Sequence, residues 1–214
     1  MKPLLFVVVI FCALNVYAQT PAPITFDNDE VTQFPSCWVS DDQKNMIKVY
    51  SVQAEGQSKF LHADAKNLSV SISCAKRWDI TEYPALRWSW RAILFPTGSN
   101  EQVKSRGDSV LGLYIVFSGK PFVTAIKYVW SDTLPDGMIF DSPYSSGTKI
   151  IVVHSGRADE GTWMGEERNL LLDYERSFGK SNRRAVAQAI AILTDSDDTR
   201  SRAVGDYARI SFGR

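Results

Sequence analysis

Strict alternation of apolar and polar side chains is the feature that most limits the fold of this chain. In the segment LSVSISC, residues 68–74, every second residue is apolar or Cys and the others are serines. The segment LRWSWRA, residues 86–92, repeats the pattern with arginine and serine at the polar positions. A period of two places the apolar side chains on one face of a β-strand. Both segments therefore predict strands with one face in a core.

Further strands are predicted by longer apolar runs that are separated by turn-forming sequences. These runs are VLGLYIVF (110–117), TAIKYVW (124–130), KIIVVHS (149–155), AVAQAIAILT (185–194) and YARISF (207–212). One segment, EERNLLLDYERSFG (166–179), instead has apolar residues at helical spacing, with Glu166 and Glu167 near its start and Gly179 after its end. We predict an all-β fold, an antiparallel β-sandwich of jelly-roll type with one amphipathic helix, forming a single domain over residues 24–214.

The first eighteen residues resemble a secretory signal peptide. Lys2 supplies a basic start, residues 4–14 are apolar, and Val16-Tyr17-Ala18 precede Gln19 in the manner of a signal-peptidase site. The apolar run is too short to span a bilayer comfortably. We therefore expect a signal peptide at 1–18 and a protein that is periplasmic or secreted rather than membrane-spanning.

Charge and cysteine content narrow the function classes. The chain has 24 Lys and Arg against 24 Asp and Glu, and no basic stripe with interleaved aromatics, which disfavours nucleic-acid binding. Cys12 lies in the predicted signal peptide, so Cys37 and Cys74 remain. In an oxidising compartment they could form a disulfide, or they could be two buried free thiols. The residues leave both alternatives open.

Several motifs occur in an order that is similar to one bacterial protein family. They are YPALRWSWR, GDSVLGLYIVF, IKYVWS, VVHSG, GTWMGEERNLLLDYERSFG and AILTDSDDT followed by YARISF. Together they resemble the exported bacterial proteins of the family of unknown function 3047, over roughly residues 24–212. The resemblance implies the extent of the domain and an exported context, and it implies no activity.

The chain departs from this family at one place. Members tend to carry an arginine just before the strand at 113–117, where this chain has Gly112, and two acidic residues ahead of it, where Asp108 follows Gly107. If those groups form a site in relatives, the resemblance implies that the site is altered here. Phe26-Asp27 and Trp38 also give a looser similarity to galactose-binding-like jelly rolls, which often hold a structural calcium ion.

A group of aspartates near the carboxyl end of the chain is a candidate metal site. In the segment DSDDT, Asp195 and Asp197 occupy alternating positions, and Asp206 follows on the next predicted strand. Calcium prefers six to eight oxygen ligands, so these residues with Asp27 could bind a structural calcium ion. The alternative is a solvated hairpin loop in which the aspartates form turns and pair with neighbouring arginines.

Aromatic residues near predicted loops are candidate ligand-binding residues. An aromatic ring stacks on the apolar face of a sugar, while carboxylates and guanidinium groups bind its hydroxyls. Such positions are held by Trp163, Trp38, Tyr144 and Trp130, the last followed by Asp132. Each of these rings could equally belong to the core.

A catalytic set is the other interpretation of the segment around Trp163. Glu166 or Glu167 could be half of an acid–base pair with Asp173, Asp132 or Asp141, while Arg168 neutralises a substrate acid. His154, at the end of a predicted strand, could be a general base or a structural hydrogen-bonding group. The carboxylates could instead stabilise the start of the helix, and Arg168 could be buried in an ion pair.

The sequence thus predicts an exported, non-catalytic module that binds a carbohydrate or cell-envelope glycan. The alternatives are a polysaccharide-degrading enzyme of unassigned chemistry and a structural interaction protein of the envelope. Motifs for nucleophilic serine, zinc-protease and phosphate-binding chemistry are absent from the sequence.

Overall fold

The computed structural model describes residues 20–117, 123–179 and 185–214. The predicted signal peptide at 1–18 lies outside these residues and stays a prediction.

Two β-sheets pack face to face and enclose one main core, which confirms the predicted all-β sandwich. The five-stranded sheet has the order β1-β2-β11-β4-β9, and the six-stranded sheet has the order β3-β10-β5-β6-β8-β7. The strands are β1 (Tyr50–Glu55), β2 (Ser58–Lys66), β3 (Ser69–Asp79), β4 (Ala85–Leu94), β5 (Leu111–Phe117), β6 (Thr124–Ser131), β7 (Ile139–Ser142), β8 (Ser145–Ser155), β9 (Met164–Asn169), β10 (Val186–Asp195) and β11 (Arg202–Gly213).

The alternating segments form strands whose apolar faces point into this core, as predicted. On β4, Leu86, Trp88 and Trp90 are at most 3% exposed, whereas Arg87 is exposed on the opposite face. The same alternation on β3 buries Val70, Ile72 and Cys74. The period of two therefore decides which face of each sheet meets solvent or a covering loop.

The last two strands occupy inner positions of both sheets. Strand β10 lies between β3 and β5, and β11 lies between β2 and β4, all with antiparallel pairing. One pair in the six-stranded sheet, β6 and β8, is parallel, so this sheet is mixed rather than purely antiparallel. A hairpin whose two strands join different sheets therefore links the two layers.

The helical content differs from the prediction in two ways. The predicted helix is present as α2 (Leu170–Phe178), with the Asn169 side chain accepting a hydrogen bond from the Leu172 amide at its start. Glu166 and Glu167, however, lie on β9 and not in the first helical turn. A second helix, α1 (Gln43–Val49), begins at Asp42, which accepts a hydrogen bond from the Asn45 amide.

Cys37 and Cys74 are joined by a disulfide with a Cα–Cα distance of 5.5 Å. The bond ties the segment before α1 to β3, where the Val39–Ser73 bridge makes two further backbone hydrogen bonds. Of the two alternatives that the sequence left open, the structure has the disulfide.

No helix among the described residues is both long and apolar enough to cross a membrane.

Candidate functional site

The outer face of the five-stranded sheet carries polar and aromatic side chains instead of an apolar layer. On β2, Leu61 and Ala63 point into the core, so Phe60 and His62 point outwards. On β4, Ser89 and Arg91 alternate with the core tryptophans in the same way. The face is therefore built from the polar positions of the alternating segments.

A fully buried carboxylate lies at the centre of this face. Asp206 has no exposed surface, and its Oδ1 lies 2.7 Å from His62 Nδ1. Its Oδ2 accepts hydrogen bonds from Arg91 at 2.7 and 2.8 Å. The register of β11 places Asp206 opposite His62 on one side and Arg91 on the other. Hydrogen bonds to both oxygens stabilise the buried charge.

Trp163 stands beside this network at the start of β9. Its ring contacts Phe60 edge to face, with 5.3 Å between centroids, and the Arg91 guanidinium lies 4.6 Å from its centroid. Arg91 also lies 5.5 Å from the centroid of the Phe60 ring. These contacts fix the orientation of Trp163 while leaving part of its surface exposed.

Two neighbouring depressions form a groove on this face, which we call the Trp163 groove. The first has a volume of about 390 Å³ and the second about 330 Å³, and Ser89 lines both of them. Small residues keep the groove open, because Ser89, Gly165 and Ala208 place no large side chain above the sheet. The first depression is lined by Glu55, Ser58, Lys59, Phe60, Ser89, Trp163 and Ala208.

Three cationic groups along the groove are held by acceptors of the chain itself, whereas Arg209, which lines the second depression, is exposed and makes no ion pair within the described part of the chain. Besides Asp206, Arg91 contacts Glu55 at 3.1 Å, and Arg87 pairs with Glu167 at 2.7 Å. The Lys59 ammonium donates hydrogen bonds to the carbonyl oxygens of Asp27 and Asp29. These three cations therefore add polarity to the groove without presenting an isolated positive charge.

Two of the predicted stacking residues belong to the core, which corrects that prediction. Trp38 is 3% exposed and Trp130 is fully buried, so neither ring presents a free face to a ligand. Asp132 pairs with Arg157 through two hydrogen bonds of 2.7 and 2.6 Å. Tyr144 is 50% exposed, and it belongs to the other sheet, in the turn between β7 and β8.

The two candidate glutamates lie on opposite faces of β9, because they are adjacent on one strand. Glu166 points inwards, accepts a hydrogen bond from Trp90 Nε1 at 3.1 Å and lies 3.7 Å from His154 Nδ1. Burial raises the pKa of Glu166 although the Trp90 hydrogen bond opposes this shift. His154 also contacts Asp159 at 3.0 Å. Each aspartate predicted as the partner of Glu166 or Glu167 is itself paired with a cation: Asp173 with Arg168, Asp132 with Arg157 and Asp141 with Lys149.

Arg168 and Asp173 bind each other instead of facing the groove. Two hydrogen bonds of 2.8 and 2.6 Å join them, and Asp173, which is 1% exposed, also accepts one from the Tyr128 hydroxyl. The hydrogen bond to Asp173 raises the pKa of the Arg168 guanidinium. The buried ion pair considered for Arg168 is present, and it fastens α2 to the sheet.

The aspartates predicted as calcium ligands are only partly brought together. One oxygen each of Asp108, Asp195 and Asp197 lies within 4.8 Å of the others. Asp206 is not in this group, because its oxygens bind His62 and Arg91. Asp27 does not join it either within the described part of the chain. Calcium stays a prediction.

Hydrogen bonds already use part of this carboxylate group. Asp108 accepts them from the backbone amides of Asp198 and Thr199 at 3.2 and 2.7 Å, and from the Thr199 hydroxyl. Asp195 accepts one from the Ser109 amide at 2.8 Å. The solvated-loop alternative is met only in part, because Asp197 is exposed whereas Asp108 and Asp195 are buried, and Arg202 pairs with Asp64 and not with these aspartates.

Lys127 is the most unusual residue near these aspartates, and the sequence interpretation missed it. It is 4% exposed and donates a hydrogen bond to Ser109 Oγ at 2.8 Å. A Cβ atom at Gly112, where the resemblance leads one to expect arginine, would lie 2.8 Å from Lys127 Cε. A cation from the neighbouring strand thus occupies the space beside Gly112. The sequence feature that could have identified it is a lysine within the otherwise apolar segment 124–130.

Comparison with known proteins gives a family but no assigned activity. No curated protein matches the chain. Three solved structures are reported as similar to the chain. Endoglucanase 3 of Trichoderma harzianum is 9% identical, with 90% of this chain and 97% of that chain covered and a TM-score of 0.43. The K2 cleaved adhesin domain of Lys-gingipain is 12% identical, with coverage of 90% and 98% and a TM-score of 0.43.

The third structure is TmCBM27, a carbohydrate-binding module solved for its mannan recognition. It is 10% identical to this chain, with coverage of 92% and 98% and a TM-score of 0.37. At these scores no residue of this chain takes a role from any of the three. The family model described as "Protein of unknown function (DUF3047)" matches residues 38–211. The chain belongs to this family.

Proposed function

We propose that this is an exported protein that binds an uncharged glycan chain in the Trp163 groove. The observation that carries the proposal is a pair of neighbouring depressions on an open sheet face that share Ser89, with an oriented tryptophan in the first and polar side chains along both. The Cys37–Cys74 disulfide supports export, since disulfides persist in oxidising compartments.

The contacts of Trp163 suit it to sugar stacking. Phe60 and Arg91 hold the ring in one orientation, so little side-chain entropy remains to be lost when a sugar packs on the exposed part. Glu55 and Ser58, at the tip of the β1–β2 hairpin, line the same depression and offer hydrogen bonds to hydroxyl groups. Aromatic surface with a few polar groups is the usual composition of a small-ligand site.

Charge pairing along the groove favours a neutral glycan over an acidic one. A uronic acid or sulfated sugar requires a cation that can bind its anionic group. Of the four cations along the groove, Arg91, Arg87 and Lys59 already bind acceptors of the chain, and breaking these contacts would offset the gain from an anionic ligand. Arg209 is the one of the four that has no ion pair in the described part of the chain. The groove is therefore better matched to the hydroxyl groups of a neutral polysaccharide.

The length of the groove fits several sugar units rather than one. Two depressions of about 390 and 330 Å³ meet at Ser89, and each is within the lower range of small-molecule sites. A chain of sugars could lie across β4 and β9 with one unit on Trp163. We expect affinity to rise with oligosaccharide length.

The hydrolase alternative has less support from the geometry. A glycosidase needs two carboxyl groups flanking one bond, about 5 to 9.5 Å apart across the substrate. The aspartates considered as partners for Glu166 or Glu167 are paired with cations, Asp173 with Arg168, Asp132 with Arg157 and Asp141 with Lys149. Cleavage is nevertheless measured directly in the test below.

The test compares the mature protein with Trp163→Ala on a panel of neutral and acidic polysaccharides, with retention and new reducing ends both measured. We expect retention of a neutral glycan by the wild type, about tenfold or greater weakening in Trp163→Ala, and partial recovery in Trp163→Phe. Leu172→Ala, which removes exposed apolar surface on α2, serves as the matched control and should bind like the wild type.

Two results would overturn the proposal. One is equal retention by Trp163→Ala and the wild type while both remain folded. The other is the release of reducing ends by the wild type, which would make the protein an enzyme. If Trp163→Ala loses several kcal/mol of unfolding free energy, Trp163→Phe decides whether the ring acts in binding or only in packing.

A further inference from the structure

A second concave site lies on the outer face of the six-stranded sheet, and it shares no lining residue with the Trp163 groove. Its volume is about 380 Å³. The lining consists of Ser69, Tyr114, Lys127, Ser142, Tyr144, Ser145, Thr148, Leu193, Asp195, Asp197 and Asp198. We call it the Tyr144 pocket.

A buried lysine and a tyrosine ring form the floor of this pocket. Lys127 projects from β6 and Tyr114 from β5, and the ammonium nitrogen lies 5.4 Å from the centroid of the Tyr114 ring. Burial alone would lower the pKa of Lys127, but Tyr114, Asp195 and Glu101 around it raise the value instead. The floor therefore holds a charged ammonium group, which can donate to an oxygen of a ligand.

Three carboxylates make the other side of the pocket acidic. Asp195 is 6% exposed beside Lys127, Asp198 is partly exposed, and Asp197 is exposed. One lysine faces these three acids in the lining, and Asp108 lies beside Asp195 and Asp197 beneath them. Burial raises the pKa of Asp195 to about 7, so this acid is only partly charged near neutral pH. Asp197, Asp198 and Asp108 still outnumber Lys127, and the local charge favours a ligand that carries a positive charge.

Tyr144 holds the rim of the pocket in a defined position. Its hydroxyl lies 2.7 Å from the Lys104 carbonyl oxygen and also contacts the Asp198 carboxylate. Gly107 makes this approach possible, because a Cβ atom there would overlap the Tyr144 hydroxyl. The Lys104 ammonium lies 5.8 Å from the centroid of the Tyr144 ring, so this ring already faces one cation.

Hydroxyl groups complete the lining and indicate what else the ligand carries. Ser69, Ser142, Ser145 and Thr148 surround the pocket with groups that both donate and accept hydrogen bonds. A simple alkyl amine would leave many of these groups without a partner. A ligand with hydroxyl groups around a compact ring would use them.

We propose that the Tyr144 pocket binds a hexosamine with a free amino group, as a single sugar or at the end of a glycan. The sugar's ammonium group pairs with Asp197 and Asp198, and one of its oxygens accepts a hydrogen bond from Lys127. The proposal does not depend on binding in the Trp163 groove, because the two sites share no lining residue.

The experiment titrates the mature protein with glucosamine, N-acetylglucosamine, glucose and 1,4-diaminobutane at about pH 7, near which an amino group still carries much of its charge. Protein NMR shifts report both affinity and location. We expect saturable glucosamine binding, at least tenfold tighter than that of the two uncharged sugars and of the diamine. Shifts should centre on Tyr144, Lys127 and Asp197.

Variants separate this pocket from other sources of binding. Asp197→Asn removes a charge from an exposed rim residue, and we expect it to weaken glucosamine about tenfold without changing glucose. Asp41→Asn makes the same change of charge at an exposed residue outside the pocket and should leave binding unchanged. Trp163→Ala should also leave it unchanged, so a failure of one site is distinguishable from a failure of the other.

Several outcomes would overturn the proposal. Equal affinity for glucosamine and glucose would show that the carboxylates do not select an amine. Equal affinity for the diamine would show that the pocket responds to charge alone. The absence of saturation up to tens of millimolar, or equal weakening by Asp197→Asn and Asp41→Asn, would remove the site.

Discussion

The outer faces of the two sheets differ in how their buried charged side chains are paired. On the five-stranded sheet, Asp206 is the buried charge, and it has His62 and Arg91 on either side. On the six-stranded sheet, Lys127 is buried together with Asp195 and Glu101, both of which have a raised pKa. The first face balances its charge within one network, whereas the second holds buried acids that burial makes reluctant to ionise.

This difference indicates that the outer face of the six-stranded sheet lowers the stability of the fold and that its charged residues serve another role. Burying an acid without full compensation lowers the free energy of unfolding at neutral pH. Perturbed ionisable groups beside a cavity are typical of binding or catalytic sites. The Tyr144 pocket therefore fits the pattern of a functional site that stability alone would not produce.

The largest expected effect concerns Asp195. Burial raises its pKa from 3.8 to about 7, although Lys127 and the Ser109 amide oppose the shift. An acid with a raised folded-state pKa stabilises the fold most when it is protonated. Stability from this group is therefore present below about pH 4 and is lost as pH rises to about 7, by about 4 kcal/mol.

Urea unfolding of the wild type and Asp195→Asn across this pH range measures the effect. The free energy of unfolding of Asp195→Asn, relative to that of the wild type, should increase from about pH 4 to about pH 7 and stay constant above about pH 7. Asp197→Asn at the exposed rim provides the comparison. A difference that is independent of pH would mean that Asp195 is ionised without penalty, and the contrast between the faces would fail.

The next effect concerns Asp206 on the other face. Asp206→Ala removes both anionic oxygens and leaves the Arg91 guanidinium, whose side chain is 18% exposed, without its main partner. We expect a loss of about 3 kcal/mol in unfolding free energy at neutral pH, measured by chemical denaturation. A loss under about 1 kcal/mol would show that the hydrogen bonds of Asp206 with His62 and Arg91 do not stabilise the fold as a buried ion pair does.

The smallest effect concerns an exposed ion pair on the same face. Asp64 and Arg202 form two hydrogen bonds of 2.7 and 2.6 Å, but the Arg202 side chain is 52% exposed. Asp64→Ala should therefore cost about 0.5 kcal/mol, because solvent screens the pair. Thermal unfolding of this variant beside Asp206→Ala tests whether burial, rather than charge pairing as such, sets the energy scale.

Local alternation allowed much of the fold to be predicted. The segments at 68–74 and 86–92 lie on β3 and β4 with the predicted side chains in the core. Strands β1, β2, β7 and β9 were not predicted. On β2 the alternation of Leu61, Ala63 and Ala65 with polar residues was present in the sequence but was overlooked, because alanine gives a weak apolar signal. Glu166 and Glu167 were placed near a helix start because an acidic pair followed by leucines is typical of an N-terminal turn.

The sites were less predictable than the strands because they depend on pairing between distant segments. Asp108 and Asp195 are brought together only when β10 pairs with β5, and no local pattern contains that register. Trp38 and Trp130 have the same local features as Trp163, yet packing buries the first two. Lys127 was overlooked because the apolar segment 124–130 was predicted to be buried on both faces. That prediction did not consider which residues would surround a lysine within the segment.

The inner positions of β10 and β11 have a consequence for the order of events during synthesis. Each strand supplies hydrogen bonds to two neighbours that precede it in the chain, so the gap in each sheet remains until residues 186–213 emerge. A growing chain of this kind stays incomplete until its final segment arrives, and its native pairings are long-range and slow to form. Closure of both sheets therefore depends on the hairpin of β10 and β11.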